Sequence, residues 1–211
     1  MTSGTQRPRR KRLSAEARRS AILDAALEVF ARGGYNGASI DEIAHAAGVS
    51  KALIYEHFPS KRDLHVSLLQ EQVQEIFERL ARSAMTPEPG HVRLRAGVDA
   101  FLEFVEERRG AFIMLYRDAV EPEVAELLMG LQRQATAAIA ELIAAEPVER
   151  ADSDDDQSIE MLAQLLSGAV QSLAIWWYDH PDVPRERLVD QVMEFCWLGL
   201  ERVASGERLA R

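Results

Sequence analysis

One cysteine, Cys196, stands in a chain of 211 residues. That excludes an intrachain disulfide framework and suits a reducing compartment, the cytoplasm. Lysine is nearly as scarce: Lys11, Lys51 and Lys61 all fall in the first third, and every other cation is an arginine. The chain has no Gly-rich phosphate loop, no His-Glu-x-x-His and no Gly-x-Ser-x-Gly. Three common enzyme chemistries therefore lack their motifs. The histidines are scattered at 45, 57, 65, 91 and 180, with no metal-ligand spacing, so neither a metal nor a cofactor is expected. Cys196 lies in an apolar segment and reads as an inert buried thiol, not a nucleophile. Asp152-Ser153-Asp154-Asp155-Asp156 lacks the bend glycine and the bidentate glutamate of a calcium loop, since Gln157 and Ala163 stand there. It reads as a solvated acidic loop.

Long apolar runs are missing too. The basic N-terminus is not followed by a signal-peptide core. The longest uncharged stretch, Met161 to Tyr178, contains Gln164, Ser167, Gln171 and Ser172. It falls short of the roughly 20 apolar residues of a membrane span and reads as a buried helix. No alternating β pattern of useful length and no internal repeat is present.

What the chain does have is an ordinary folded composition, 47% hydrophobic and 28% charged, with charge divided unevenly along it. Residues 1–65 hold 11 Lys+Arg against 7 Asp+Glu, while residues 66–211 hold 14 against 27. The overall charge of −9 thus conceals a basic module joined to an acidic body, a pattern that suits a polyanionic partner at one end only.

Helical signals punctuate the whole length. Ser14 caps a first helix whose Ile22, Ala26, Val29 and Phe30 recur at helical spacing, and Gly33-Gly34 ends it. Ser39 and Glu42 form a capping box for a second helix, which stops at Gly48. Ser50 caps a third, to about His57, and Ser60 with Asp63 starts a long fourth. Further helices are expected at about 91–108, 110–118, 122–146, 158–179 and 184–205. The fold class is all-α with about nine helices. Its domains are a basic disordered arm at 1–13, a helix-turn-helix domain at 14–65 and a helical bundle at 66–211.

Residues 39–58 carry the functional signal. Two short serine-capped helices joined through Gly48 form a helix-turn-helix. Ile40, Ile43, Ala44, Val49, Ile54 and Phe58 close on Phe30 and Leu27. With Ile54 and Phe58 inward, Ala52, Leu53, Tyr55 and Glu56 face outward, flanked by Lys51, His57 and Lys61, which suits a major groove.

The run Ser39-Ile40-Asp41-Glu42-Ile43-Ala44-His45-Ala46-Ala47-Gly48-Val49-Ser50-Lys51-Ala52-Leu53-Ile54-Tyr55-Glu56-His57-Phe58-Pro59-Ser60-Lys61-Arg62-Asp63-Leu64 resembles the signature of the tetracycline-repressor (TetR) family of bacterial regulators. The resemblance spans about Ile22 to Leu64. It implies a homodimeric repressor that binds an inverted-repeat operator in double-stranded DNA and is released by a small-molecule inducer. Carried over by position, Ser39 and Ser50 match phosphate-contacting caps. Lys51, Tyr55, His57 and Lys61 match backbone-contacting positions that fix register. Ala52, Leu53 and Glu56 depart from the residues often found there, so an operator particular to this chain is expected. The alternative is a constitutive or architectural DNA-binding protein without a ligand.

In the acidic body, Phe101, Phe104, Phe112, Met114, Tyr116, Leu128 and Trp176, with Thr136 and Gln171 as polar contacts, form a candidate pocket for an apolar or aromatic inducer. For dimerisation, Gln164, Gly168, Gln171 and Ile175 share one face of the eighth helix. Leu162, Leu166, Ala169, Leu173 and Trp176 are assigned to the subunit's own core. Met193, Cys196 and Leu200 of the ninth helix are expected to complete an isologous four-helix interface.

Overall fold

The computed structural model describes residues 14–117, 122–145 and 155–204. Nine helices run through them, with no strand among the described residues: α1 (Ala15–Gly37), α2 (Ile40–Ala47), α3 (Lys51–His57), α4 (Lys61–Ala84), α5 (Gly90–Glu107), α6 (Arg109–Arg117), α7 (Pro122–Ala145), α8 (Asp155–Tyr178) and α9 (Arg185–Ala204). Each begins and ends within a turn of where the capping and breaking residues place it. The arm at 1–13 and most of the acidic loop lie outside the described residues. The chain divides into two compact units, Met1–Leu68 and Leu69–Arg211, and the division falls within α4.

Local chemistry accounts for the first unit. Ser14 Oγ accepts from Ala17 N–H at 3.1 Å and starts α1. Gly34, at φ 65°, interrupts it in a conformation that side chains resist, and Ala38 N–H closes back on Gly34 O. Ser39 and Glu42 make both halves of their capping box, and Gly48 ends α2 in the left-handed region at φ 64°. The helices bury Ile22, Leu23, Ala26, Val29 and Phe30 of α1 against Ile40, Ile43 and Ala44 of α2, Ile54 of α3, and Phe58 and Leu64. Val49 and Leu27 are half-buried at the margin. Full burial of Ile43 and Ile54 contributes about 1.5–3 kcal/mol each. His65, wholly buried, sets its ring edge-on to Phe30 at 4.8 Å and beside Tyr35 at 4.9 Å.

The second unit is a helical bundle in which α7 packs chiefly on α8, and α5 on α9 and α7. Its core joins Leu94, Val98, Leu102, Phe104 and Val105 of α5 to Ala111–Leu115 of α6 and to Leu188, Val189 and Val192 of α9. Trp177 is buried and donates its indole N–H to Val183 O at 2.8 Å. Two arginines tie its helices together. Arg79 of α4 lies over the Phe104 ring and reaches Glu75, Glu103 and Glu107. Arg185 of α9 reaches Asp99, Glu103 and Glu106.

The faces of α8 differ from expectation. Its buried stripe is Ala163, Leu166, Val170, Ala174 and Trp177; of the expected core side Leu166 is buried, while Leu162, Ala169 and Leu173 are half-buried. Trp176 is 46% exposed and stacks on His180 at 4.0 Å. The uncharged stretch is therefore not buried all round. Met161, Leu165, Ile175 and Trp176 stand exposed, with Gly168 among them. Tertiary contact selected a face one residue round from the larger side chains, with small Ala163 and Ala174 fully buried in it, and α5, α6, α7 and α9 all pack on this helix.

Candidate DNA-binding surface and ligand cavity

The recognition element is built from its caps outward. Ser50 Oγ accepts from Leu53 N–H at 3.2 Å, fixing the first turn of α3 and burying Ile54 below it. That leaves Ser50, Lys51, Ala52, Tyr55 and Glu56 exposed, with Leu53 and His57 half-buried beside them. Ser39, at the start of α2, is half-buried and spends its hydroxyl hydrogen on Glu42 Oε2 at 2.9 Å. Lys51 Nζ pairs with Asp41 Oδ2 at 2.9 Å. Its pKa is raised by that hydrogen bond and by the carboxylate's charge, so the ammonium persists through neutral pH. Lys61 lies over the Tyr35 ring at 4.6 Å, and Arg19 over Phe58 at 5.2 Å. Sequence reasoning did not single out Asp41, Tyr35 or Arg19. Their roles appear only when the helices meet. All nine positions expected to face DNA thus belong to one unit, and the outer surface of α3 carries one cation, one carboxylate and one phenol over three helical turns or fewer. Such a face offers phosphate contacts at its edge and selective donors and acceptors at its centre.

The second unit holds a cavity of about 150 Å³. Its walls are Ile76, Leu80 and Ser83 of α4, residues 93–101 of α5 in part, Tyr116 of α6, and the Leu128–Leu142 face of α7. Leu166, Ser167, Val170 and Gln171 of α8 close it. The lining is mostly aliphatic, with few polar groups, as small-molecule sites are. Of the lining residues, Phe101 and Tyr116 form an aromatic cluster with Phe112, whose ring centroid lies 6.1 Å and 4.7 Å from theirs. Burial pushes the Tyr116 hydroxyl up to about 12, so it stays neutral and able to donate.

The chain matches the family described as "Bacterial regulatory proteins, tetR family" over residues 22–68. It matches "Tetracyclin repressor-like, C-terminal domain" over residues 91–199. The HTH-type transcriptional activator FasR of Mycolicibacterium smegmatis is 32% identical over 208 residues, which cover 95% of this chain and 93% of that protein. This chain belongs to the TetR family. Among solved structures, a TetR-like regulator from Rhodococcus sp. RHA1 aligns with a TM-score of 0.78 and 26% identity. The alignment covers 90% of this chain and 99% of that one. The fold is also shared with the regulator FadR from Bacillus subtilis, solved in complex with stearoyl-CoA, at a TM-score of 0.68 and 22% identity. That alignment covers 89% and 98% of the two chains.

Within this TetR-family chain the expected pocket residues part company. Phe101, Tyr116, Leu128 and Gln171 line the cavity. Phe104, Phe112, Met114 and Thr136 are buried in the core, Phe112 directly against the lining residues Phe101 and Tyr116, and Trp176 is exposed on α8; none of these five lines it. Large rings fill space, so they sit where packing is solid, and the cavity opens where side chains are small: Gly97, Ala135 and Ala138. Those small residues, with Arg93, Gln132 and Ser167, were the signal that an aromatic count overlooked.

The interface residues also separate. Gln164, Gly168 and Ile175 are exposed on α8, whereas Gln171 is half-buried and turned to the cavity. Met193 and Cys196 are half-buried on α9, and Phe195 between them is 76% exposed. Burial raises the Cys196 thiol's pKa, which keeps it protonated and a poor nucleophile. The side chain of Leu200 lies outside the described residues. Among the described residues no group of three or more His, Cys, Asp or Glu side chains is placed to hold a metal ion.

Proposed function

We propose that this protein is a ligand-responsive transcriptional regulator that binds an inverted-repeat operator as a homodimer and leaves it when an acyl-chain molecule fills the cavity. The observation that carries the reading is the composition of α4. This one helix contributes Lys61 to the candidate DNA-facing set and Ile76, Leu80 and Ser83 to the cavity wall.

Size supplies the coupling. A cavity of 150 Å³ is about what holds one benzene ring, roughly six carbons. A longer chain must push the lining outward, so it binds the widened state better and shifts the population towards it. The apolar walls and the stearoyl-CoA held by the FadR relative support an acyl chain over a polar metabolite. Release by ligand serves repressor and activator alike, because the position of the operator relative to the promoter sets the sign.

The dimer is assigned to the exposed side of α8, where Met161, Leu165, Gly168, Ser172 and Ile175 follow one another at spacings of four and three. That periodicity is the seam of two packed helices, and Phe195 of α9 extends it. A protein reading chromosomal DNA in this way works in the cytoplasm.

The test is fluorescence anisotropy on an operator selected from random DNA, with saturated acyl ligands of 6 to 16 carbons added in series. Release should strengthen with length beyond about six carbons. Operator affinity indifferent to every chain would leave a constitutive DNA-binding protein.

A further inference from the structure

The two described lysines of the first unit are held in different ways. Lys51 is paired with Asp41, so a phosphate must compete with that carboxylate for its ammonium. Lys61 makes no ion pair among the described residues; its Nζ lies 4.6 Å from the centroid of the Tyr35 ring. An aromatic face attracts a cation without cancelling its charge. Lys61 thus keeps its whole charge for a polyanion while the ring restrains its flexible stem.

The ring is itself well anchored. Tyr35 follows Gly34, whose φ of 65° interrupts the helical path of α1 in a conformation that side chains resist. Lys61 and His65 stand one turn apart on α4 and share a face, and both meet Tyr35. The His65 ring lies 4.9 Å from it, tilted by 49°. Phe30 stacks on Tyr35 at 6.1 Å and 18°, and meets His65 at 4.8 Å and 67°. Phe30 and His65 are buried, whereas Tyr35 and Lys61 are half-buried at the margin. Core groups therefore fix the ring, and the ring holds the lysine.

We propose that Tyr35 is a positioning residue for DNA binding, presetting the Lys61 ammonium for a backbone phosphate at the edge of the groove. This rests on the DNA-facing placement of Lys61 and adds the residue that prepares it. A lysine stem loses rotamer freedom when a contact fixes it. One already restrained in the free protein loses less on binding. Tyr35 acts through Lys61, so its effect is felt on every sequence alike.

The test is a double-mutant cycle on the full-length protein, read by anisotropy on mixed-sequence duplex DNA at several salt concentrations. Tyr35→Leu should weaken binding about two- to fivefold, and Tyr35→Phe, which keeps the ring face, should bind as the parent does. In a Lys61→Ala background, Tyr35→Leu should cost nothing further. Tyr35→Leu also removes packing on Phe30 and His65, and the cycle cancels that structural cost because both backgrounds share it. The restraint is read without mutation as well: in DNA-free protein the Lys61 Cε methylene protons should resonate upfield of their coil position under the ring current. Coil-like shifts, unchanged or tighter binding by Tyr35→Leu, a loss matched by Tyr35→Phe, or a loss undiminished in Lys61→Ala each overturn the positioning role while leaving Lys61 at the DNA. If Lys61→Ala alone leaves affinity and salt slope unchanged, the placement of Lys61 falls, and this proposal with it.

Discussion

Lys51 Nζ lies 2.9 Å from Asp41 Oδ2, so the first residue of the recognition helix is held by a carboxylate from the first turn of the preceding helix. Both side chains are largely exposed. The pair therefore positions Lys51 more than it stabilises the fold, and Asp41 competes with DNA phosphate for the same ammonium. Asp41→Asn should raise affinity for all DNA sequences about two- to fivefold, measured by anisotropy at fixed salt. A weaker complex would mean that Asp41 orients Lys51 productively instead of withholding it.

Glu56 is exposed on α3 beside Tyr55. A carboxylate there accepts from cytosine N4 when it reads a base, and repels phosphate when it does not. Glu56→Ala should relax base preference at one position of each half-site in a binding-site selection. Unchanged preferences with higher affinity would assign Glu56 to repulsion. The neighbouring cation behaves differently: Lys61→Ala should weaken all sequences together and reduce the salt slope by about one.

The Arg79 network should add to the acid sensitivity of the second unit. Hydrogen bonding and charge from Arg79 hold the Glu107 carboxyl below its ordinary value of 4.5. The folded protein thus binds this proton less readily than the unfolded chain. The pair's stabilisation is complete above the ordinary value and drains away as pH falls through the depressed one. Glu107→Gln should flatten the decline of Tm below about pH 4.5. Arg79→Met should lower Tm at neutral pH by about 2–4 °C at constant protein concentration. A decline as steep in Glu107→Gln as in the parent would place the acid sensitivity elsewhere.

Gly168 is exposed on α8, and nothing lies within 4 Å of where its Cβ would be. Gly168→Trp is therefore harmless to the isolated subunit and obstructive to a partner helix. Sedimentation should show dissociation to monomers with helical content retained. A dimer of unchanged affinity would move the interface off this face.

The first unit was legible because its signals are local. Ser14, Ser39, Ser50 and Ser60 each accept from a backbone amide three residues on, and Gly34 and Gly48 are the two positive-φ glycines among the described residues. Caps of this kind bring their own geometry, so the sequence pattern is nearly the structure. The second unit depends on which helix meets which. Trp176 and Trp177 are neighbours 100° apart on a helix that is apolar nearly all round. No local pattern says which of them turns inward; Trp177 does, beneath the Arg109 guanidinium of α6 and bonded to Val183 O. The cavity was hard to read for a related reason: Gly97, Ala135 and Ala138 mark it by what they leave unfilled.

Selection of bound duplexes from random DNA, followed by titration of decanoyl-CoA onto the best of them, tests the central claim most directly. The account predicts an enriched inverted repeat whose half-sites are centred about 10–10.5 base pairs apart, or a multiple of that, and whose complex dissociates as ligand is added. A single unrepeated half-site, no enrichment, or an inverted repeat that stays bound whatever acyl chain is supplied would contradict it.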